Sequence, residues 1–183
     1  MTKTVSLLVT SVLLALTLLA SCGYRNANQG RLLYQRYFEA TSPVGYGTLR
    51  AVATPAALDG DASILAQGKR YHQTADYDLA LVSLRAYLES NPAPEAYLPE
   101  LLAGTAAMAS GYYDEARDYL ERLPTEDSDA DGAALWYLSL LDLREENLVA
   151  ARGKLELLAA SPARNQYPVV DVLGRLPSKG AGL

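Results

Sequence analysis

Cysteine occurs once in the 183 residues, at Cys22, and histidine once, at His72; tryptophan and phenylalanine also occur once each. A single cysteine permits no internal disulfide, so the fold has to rest on its hydrophobic core. One histidine without a cysteine partner cannot build a histidine-rich metal site. No Gly-x-Ser-x-Gly elbow accompanies His72, so its context does not point to a nucleophile–histidine pair. Alternating strand segments of convincing length are lacking as well, which leaves helix. Asp127-Ser128-Asp129-Ala130-Asp131-Gly132 opens like a calcium loop, but the place of the bidentate glutamate, six residues beyond the glycine, is taken by Leu138. That stretch reads as a solvated turn capping the next helix. No metal and no cofactor is expected. The formal charge of −5 makes nucleic acid a poor partner, because such binding rests on neutralising phosphates.

The apolar run Val5 to Ala20, behind Lys3, has 16 residues. That is short for a helix that needs about 20 to cross a bilayer, and it suits a secretory signal. Leu19-Ala20-Ser21-Cys22 follows at once and resembles the lipobox of bacterial lipoproteins. The resemblance implies that residues 1–21 are a signal peptide, and that Cys22 takes a diacylglycerol on its thiol and a further acyl chain on its freed amine. Two or more chains anchor stably where one binds marginally. Gly23, in place of the aspartate that commonly signals inner-membrane retention, implies an outer-membrane lipoprotein facing the periplasm. Cleavage leaves 162 residues with charge −6, enough for one domain with a sizeable core.

Residues 22–60 read as lipidated tether, short helix and loop. Positions 23–30 are polar and aperiodic. Arg31 to Ala40 places Leu33, Tyr37 and Ala40 on one helical stripe. Thr41 to Gly60 holds Pro43, Gly45, Gly47, Pro55 and Gly60, a loop composition. Arg25, Arg31 and Arg36 lie close to the anchor and read as a solvated face, with anionic headgroups as the alternative contact.

From residue 61 the pattern is helical and repeats. Ala75-Asp76-Tyr77-Asp78-Leu79-Ala80 and Gly111-Tyr112-Tyr113-Asp114-Glu115-Ala116 are near copies, and Glu146-Asn147-Leu148-Val149-Ala150-Ala151 is a weaker third. The closing alanines are spaced by 36 and 35 residues. Twelve residues before each stands a small residue (Gly68, Gly104, Ser139), and four after each a leucine (Leu84, Leu120, Leu155). Small residues let two helices approach closely, and the leucine fills the gap beside them. Asp61, Asp76 and Asn147 are candidate helix caps. Pro168, followed by the stripe Val169, Val172, Leu173 and Leu176, predicts a terminal helix.

With these residues the chain resembles the tetratricopeptide repeat, a helix–turn–helix unit of about 34 residues. The units fall at about 61–94, 97–124 and 132–163, with a capping helix and tail over 164–183. The fold expected is therefore all-α: a short solenoid of about three such repeats closed by a C-terminal capping helix. Departures are Tyr87 where the family prefers a small residue, Ala107 and Asp142 in place of the first-helix aromatic, and Ser139 in place of the glycine.

In the family, first helices line a concave groove. Carried over residue by residue, the partner-binding positions are Leu65, Lys69, His72 and Gln73 in the first unit. The second unit contributes Leu98, Leu101, Thr105 and Met108, and the third Trp136, Leu140 and Arg144. This set, apolar in the middle with cations toward the edges, suits an extended or helical peptide carrying an acidic group. The resemblance thus implies a non-catalytic, membrane-anchored adaptor or scaffold of the bacterial envelope that binds another envelope protein. The alternative is an envelope ligand-binding protein or enzyme whose site is formed by the 41–60 loop against the repeats. Thr48, Arg50 and Thr54 offer that loop little chemistry. Partner identity and oligomeric state are not legible in the sequence.

Overall fold

The computed structural model describes residues 28–39, 60–94 and 96–177, which contain helices and turns and no strand. The signal segment, Cys22 and the 41–59 loop lie outside the described residues. Eight α-helices are present among those described: α1 (Gln29–Tyr37), α2 (Gly60–Gln73), α3 (Tyr77–Ser90), α4 (Leu98–Ser110), α5 (Tyr113–Leu120), α6 (Ser128–Arg144), α7 (Leu148–Ala160) and α8 (Val169–Arg175). A 3-10 turn, Pro162–Gln166, separates the last two. The protein is all-α, as expected. None of these helices is long and apolar enough to cross a membrane.

Three hairpins, α2–α3, α4–α5 and α6–α7, turn in the same way. Ala75, Gly111 and Glu146 each adopt a positive φ, of 62°, 86° and 61°. The N–H of each bonds three residues back, to His72, Met108 and Leu143, at 3.1–3.3 Å. The N–H of the next residue bonds five back, from Asp76, Tyr112 and Asn147 to Tyr71, Ala107 and Asp142, at 2.8–2.9 Å. This paired closure satisfies helix-terminal carbonyls. Only the middle turn uses glycine; a left-handed conformation at Ala75 or Glu146 costs about 1–2 kcal/mol.

Within each hairpin the closing alanine and the leucine after it are fully buried: Ala80 and Leu84, Ala116 and Leu120, Ala151 and Leu155. A Cβ on Gly68 would lie 2.8 Å from Leu84, and one on Gly104 2.9 Å from Leu120, so these glycines allow the close approach that their spacing predicted. Ser139, at the third such position, is buried and donates its hydroxyl to the Trp136 carbonyl at 2.7 Å.

Side chains also join one hairpin to the next. Arg85 of α3 forks onto Glu115 of α5 through two bonds of 3.0 and 2.8 Å. Arg117 of α5 reaches Asp142 at 3.1 Å and Glu145 at 3.0 Å. Asp142, in the place where the family carries an aromatic, is buried and receives Lys154 at 2.6 Å on its other oxygen. The departure from the repeat pattern is thus a buried carboxylate that gathers partly exposed cations around it.

The caps divide. Asn147 accepts from the Ala150 N–H, and Asp127, in the calcium-like stretch, accepts from Asp129 and Ala130 at 2.9 and 3.1 Å. The rest of that stretch is not a solvated turn: Ser128 to Gly132 already belong to α6, with Ala130 and Gly132 buried, and only Asp127 stands before the helix as its cap. Asp76 stands at the start of α3 but takes the Thr74 hydroxyl instead of a backbone N–H. Asp61 lies inside α2, which begins at Gly60, and is not the residue before its helix.

Both termini of the described chain close on α6. Trp136 stacks on Tyr167, with ring centroids 5.2 Å apart, and a Cβ on Gly132 would lie 2.4 Å from that of Ala163. Val169 and Val172 of α8 are buried, so the expected terminal helix covers the last hairpin. Helix α1 also docks along α6. A Cβ on Gly30 would stand 2.1 Å from the Leu143 carbonyl oxygen. The two carboxylate oxygens of Glu146 cap α1 by accepting from the Gly30 and Arg31 N–H groups, each at 3.0 Å. Leu33 is buried, and the Tyr137 hydroxyl donates to the Glu39 carbonyl. Glu146 therefore serves two purposes, as left-handed turn residue and as cap of a helix 115 residues away.

Candidate functional site

The eleven residues expected to line a groove divide into two groups. His72, Leu101, Thr105, Met108, Trp136 and Leu140 are buried, none more than 4% exposed. These six cannot meet a partner in this conformation. The reason is packing: α4 touches α2, α3, α5 and α6, and every residue from Pro99 to Met108 is buried. Positions expected to stand open between repeats are consumed by the neighbouring first helices, and in α6 also by Tyr167 and α1. Leu65, Lys69, Leu98 and Arg144 are half-buried, and Gln73 is exposed.

His72 shows what the closed seam demands. Its Nε2 lies 2.9 Å from the Thr105 hydroxyl, which itself donates to the Leu101 and Leu102 carbonyls. The Thr105 oxygen is then left to accept from the His72 Nε2–H. Tyr77 meets the ring edge-on at 5.3 Å. Burial lowers the His72 pKa from 6.5 to about 4. The unfolded chain binds a proton in that window which the folded one refuses, so stability falls as pH drops from 6.5 toward 4. The contribution lost by pH 5 is about 2 kcal/mol. Urea unfolding of wild type and His72→Gln at pH 7 and pH 5 should show this as an extra pH dependence present in the wild type only.

Two surface clefts flank the packed seam. One, of about 610 Å³, lies between the α4–α5 turn and the end of α6 and is lined by Tyr112, Tyr113, Asp114, Glu115, Arg144 and Glu145. The Arg144 guanidinium stands 3.3 Å from the centre of the Tyr113 ring, and Tyr34 of α1 meets that ring edge-on. Tyr34 is held above the ordinary phenol range, first by burial and then by Tyr113. The other cleft, about 420 Å³, is bounded by Arg85, Glu100, Glu115, Tyr119 and Arg122 among others. Burial raises the Glu100 carboxyl, against the pull of Arg122. Tyr112, more than half exposed, and the acidic residues beside it were not among the expected groove positions. The one sequence signal beside them was Gly111, which marks the turn they follow.

Comparison with protein-family models, with curated proteins and with solved structures finds no match.

Proposed function

We propose that the chain is a tetratricopeptide-like lipoprotein, acylated at Cys22, that acts as a non-catalytic protein–protein adaptor on the periplasmic side of a bacterial outer membrane. The observation that carries this reading is the recurrence, at intervals of 36 and 35 residues, of the same left-handed turn and the same two backbone bonds. Repeated hairpins of this kind bind by presenting extended surfaces rather than by assembling one reactive centre. Leu65, Lys69, Gln73 and Leu98 keep surface in the first two hairpins, and Arg144 keeps it in the third. An extended or helical segment of another envelope protein, with an acidic group for Lys69, suits the first set.

The test is photocrosslinking in intact cells. A photoreactive residue at Gln73 should yield one defined envelope-protein adduct, diminished by Lys69→Glu. Cys22→Ser should abolish fatty-acid labelling and leave the precursor uncleaved. Equal labelling of both forms sinks the anchor; absence of any adduct from Gln73 in cells that carry the labelled protein sinks the adaptor.

A further inference from the structure

Charge is distributed unevenly along this chain. Between residues 60 and 143, fifteen Asp and Glu stand against five Lys and Arg, whereas the rest of the chain after residue 21 holds ten Lys and Arg against six Asp and Glu. The positive balance thus falls to the chain ends, and α1 and α8 are brought together. The Gln29 side chain donates to the Arg175 carbonyl, and the Tyr37 hydroxyl bonds to the Asp171 carboxylate. On the outward side of α1, Arg31, Leu32, Gln35 and Arg36 are all exposed, Leu32 by 63%. Helix α8 adds Val170, 81% exposed, and Arg175.

These cations differ in how free they are. Arg175 is paired with Asp171 at 3.0 Å. Arg31 and Arg36 belong to no ion pair among the described residues; Arg36 lies over the Tyr37 ring, which leaves its charge in place. Exposed aliphatic side chains beside unpaired arginines form the kind of surface that enters a lipid headgroup layer. Negative lipid headgroups attract such arginines within about a Debye length of the membrane, roughly 8–10 Å. Six residues lie between Cys22 and Gln29, which can therefore stand at most about 25 Å apart. An acyl anchor on Cys22 therefore keeps α1 beside the bilayer whatever course those residues take.

We propose that the rim formed by α1 and α8 is the face this protein turns to its own membrane, with Arg31 and Arg36 on the phosphates of anionic phospholipids and Leu32 among the headgroups. The proposal rests on the acylation of Cys22 argued above. It gives the charge asymmetry a consequence: the stretch from residue 100 to 131, with nine Asp and Glu against Arg117 and Arg122, is repelled by the same surface and points away from it.

The test places a fluorescent amino acid at Gln35 or, in a second sample, at Asp118 on α5, in the full processed protein. Each is reconstituted into vesicles of phosphatidylcholine with phosphatidylglycerol, or of phosphatidylcholine alone, carrying a nitroxide on the headgroup. The expected result is strong quenching at position 35 in anionic vesicles, weaker quenching in neutral ones, and little at 118. The double substitution Arg31→Gln, Arg36→Gln should reduce the anionic value to the neutral one. Equal quenching at both positions, or indifference to anionic lipid and to the arginines, overturns the proposal. The intact mass of the same sample reports the acyl chains. Acylated protein with equal quenching removes the rim and leaves the anchor. Unacylated protein still quenched at 35 on anionic vesicles removes the anchor and leaves the rim. Unacylated protein with no quenching removes both.

Discussion

Trp136→Ala should lower stability by about 3–5 kcal/mol, the usual cost of truncating a buried tryptophan. For a chain of this size that corresponds to a fall in melting temperature of roughly 10 °C or more. The side chain is 4% exposed and stacks on Tyr167, so its removal empties the seam between α6 and the segment leading into α8. The surrounding helices have little freedom to collapse into the space, because Gly132 already sits against Ala163 nearby. Thermal unfolding followed by circular dichroism measures the shift. An unchanged melting temperature would return Trp136 to the surface, where the tetratricopeptide resemblance put it.

Asp142→Ala should also destabilise, by about 1–3 kcal/mol, because it removes the buried carboxylate that two partly exposed cations share. Its carboxylate is the meeting point of Arg117 from the preceding hairpin and Lys154 from its own. Arg117 retains Glu145, whereas the Lys154 ammonium loses its one ion-pair partner among the described residues. Asp142→Asn keeps the shape and part of the hydrogen bonding and should lose less. Denaturant titration of the two variants separates charge from shape, and equal, small losses would mean that the cluster is solvated rather than structural.

The helical architecture was legible because its signals reinforce one another. Ala80, Ala116 and Ala151 recur with a small residue before and a leucine after, and one packing contact explains all three positions. The turns were half legible. Gly111 announces a left-handed residue, but Ala75 and Glu146 adopt the same conformation without glycine, and only alignment of the copies reveals it. Pairings distant in sequence were not legible. Nothing in Gly30 or Glu146 taken singly foretells that one carboxylate caps a helix far upstream. Asp142 as the hub of a cluster is equally hidden, since it reads only as a lapse from the repeat.

The groove positions went astray for a related reason. In a long array the first-helix positions between packing residues look outward along a concave face. Here the array is short and its ends fold back onto it. The His72–Thr105 contact closes the seam between the first two hairpins, and α1 with the Tyr167 segment covers the third. What the sequence could identify was therefore the set of helices, with the exposed remainder of that set fixed by tertiary packing. Lys69 illustrates the intermediate case: still at the surface, but with its ammonium pKa lowered by partial burial.

The whole arrangement depends on α1 being an integral part of the third hairpin. Amide hydrogen exchange over residues 29–37 in the purified full chain, compared with Gly30→Leu, tests it most directly. The Leu143 carbonyl leaves no room for any side chain at position 30, so the substitution should release α1. Slow exchange across 29–37 in the wild type is expected, lost in the variant while α2 to α5 keep their protection. Wild-type amides in 29–37 that exchange as fast as those of an unstructured peptide would contradict the account.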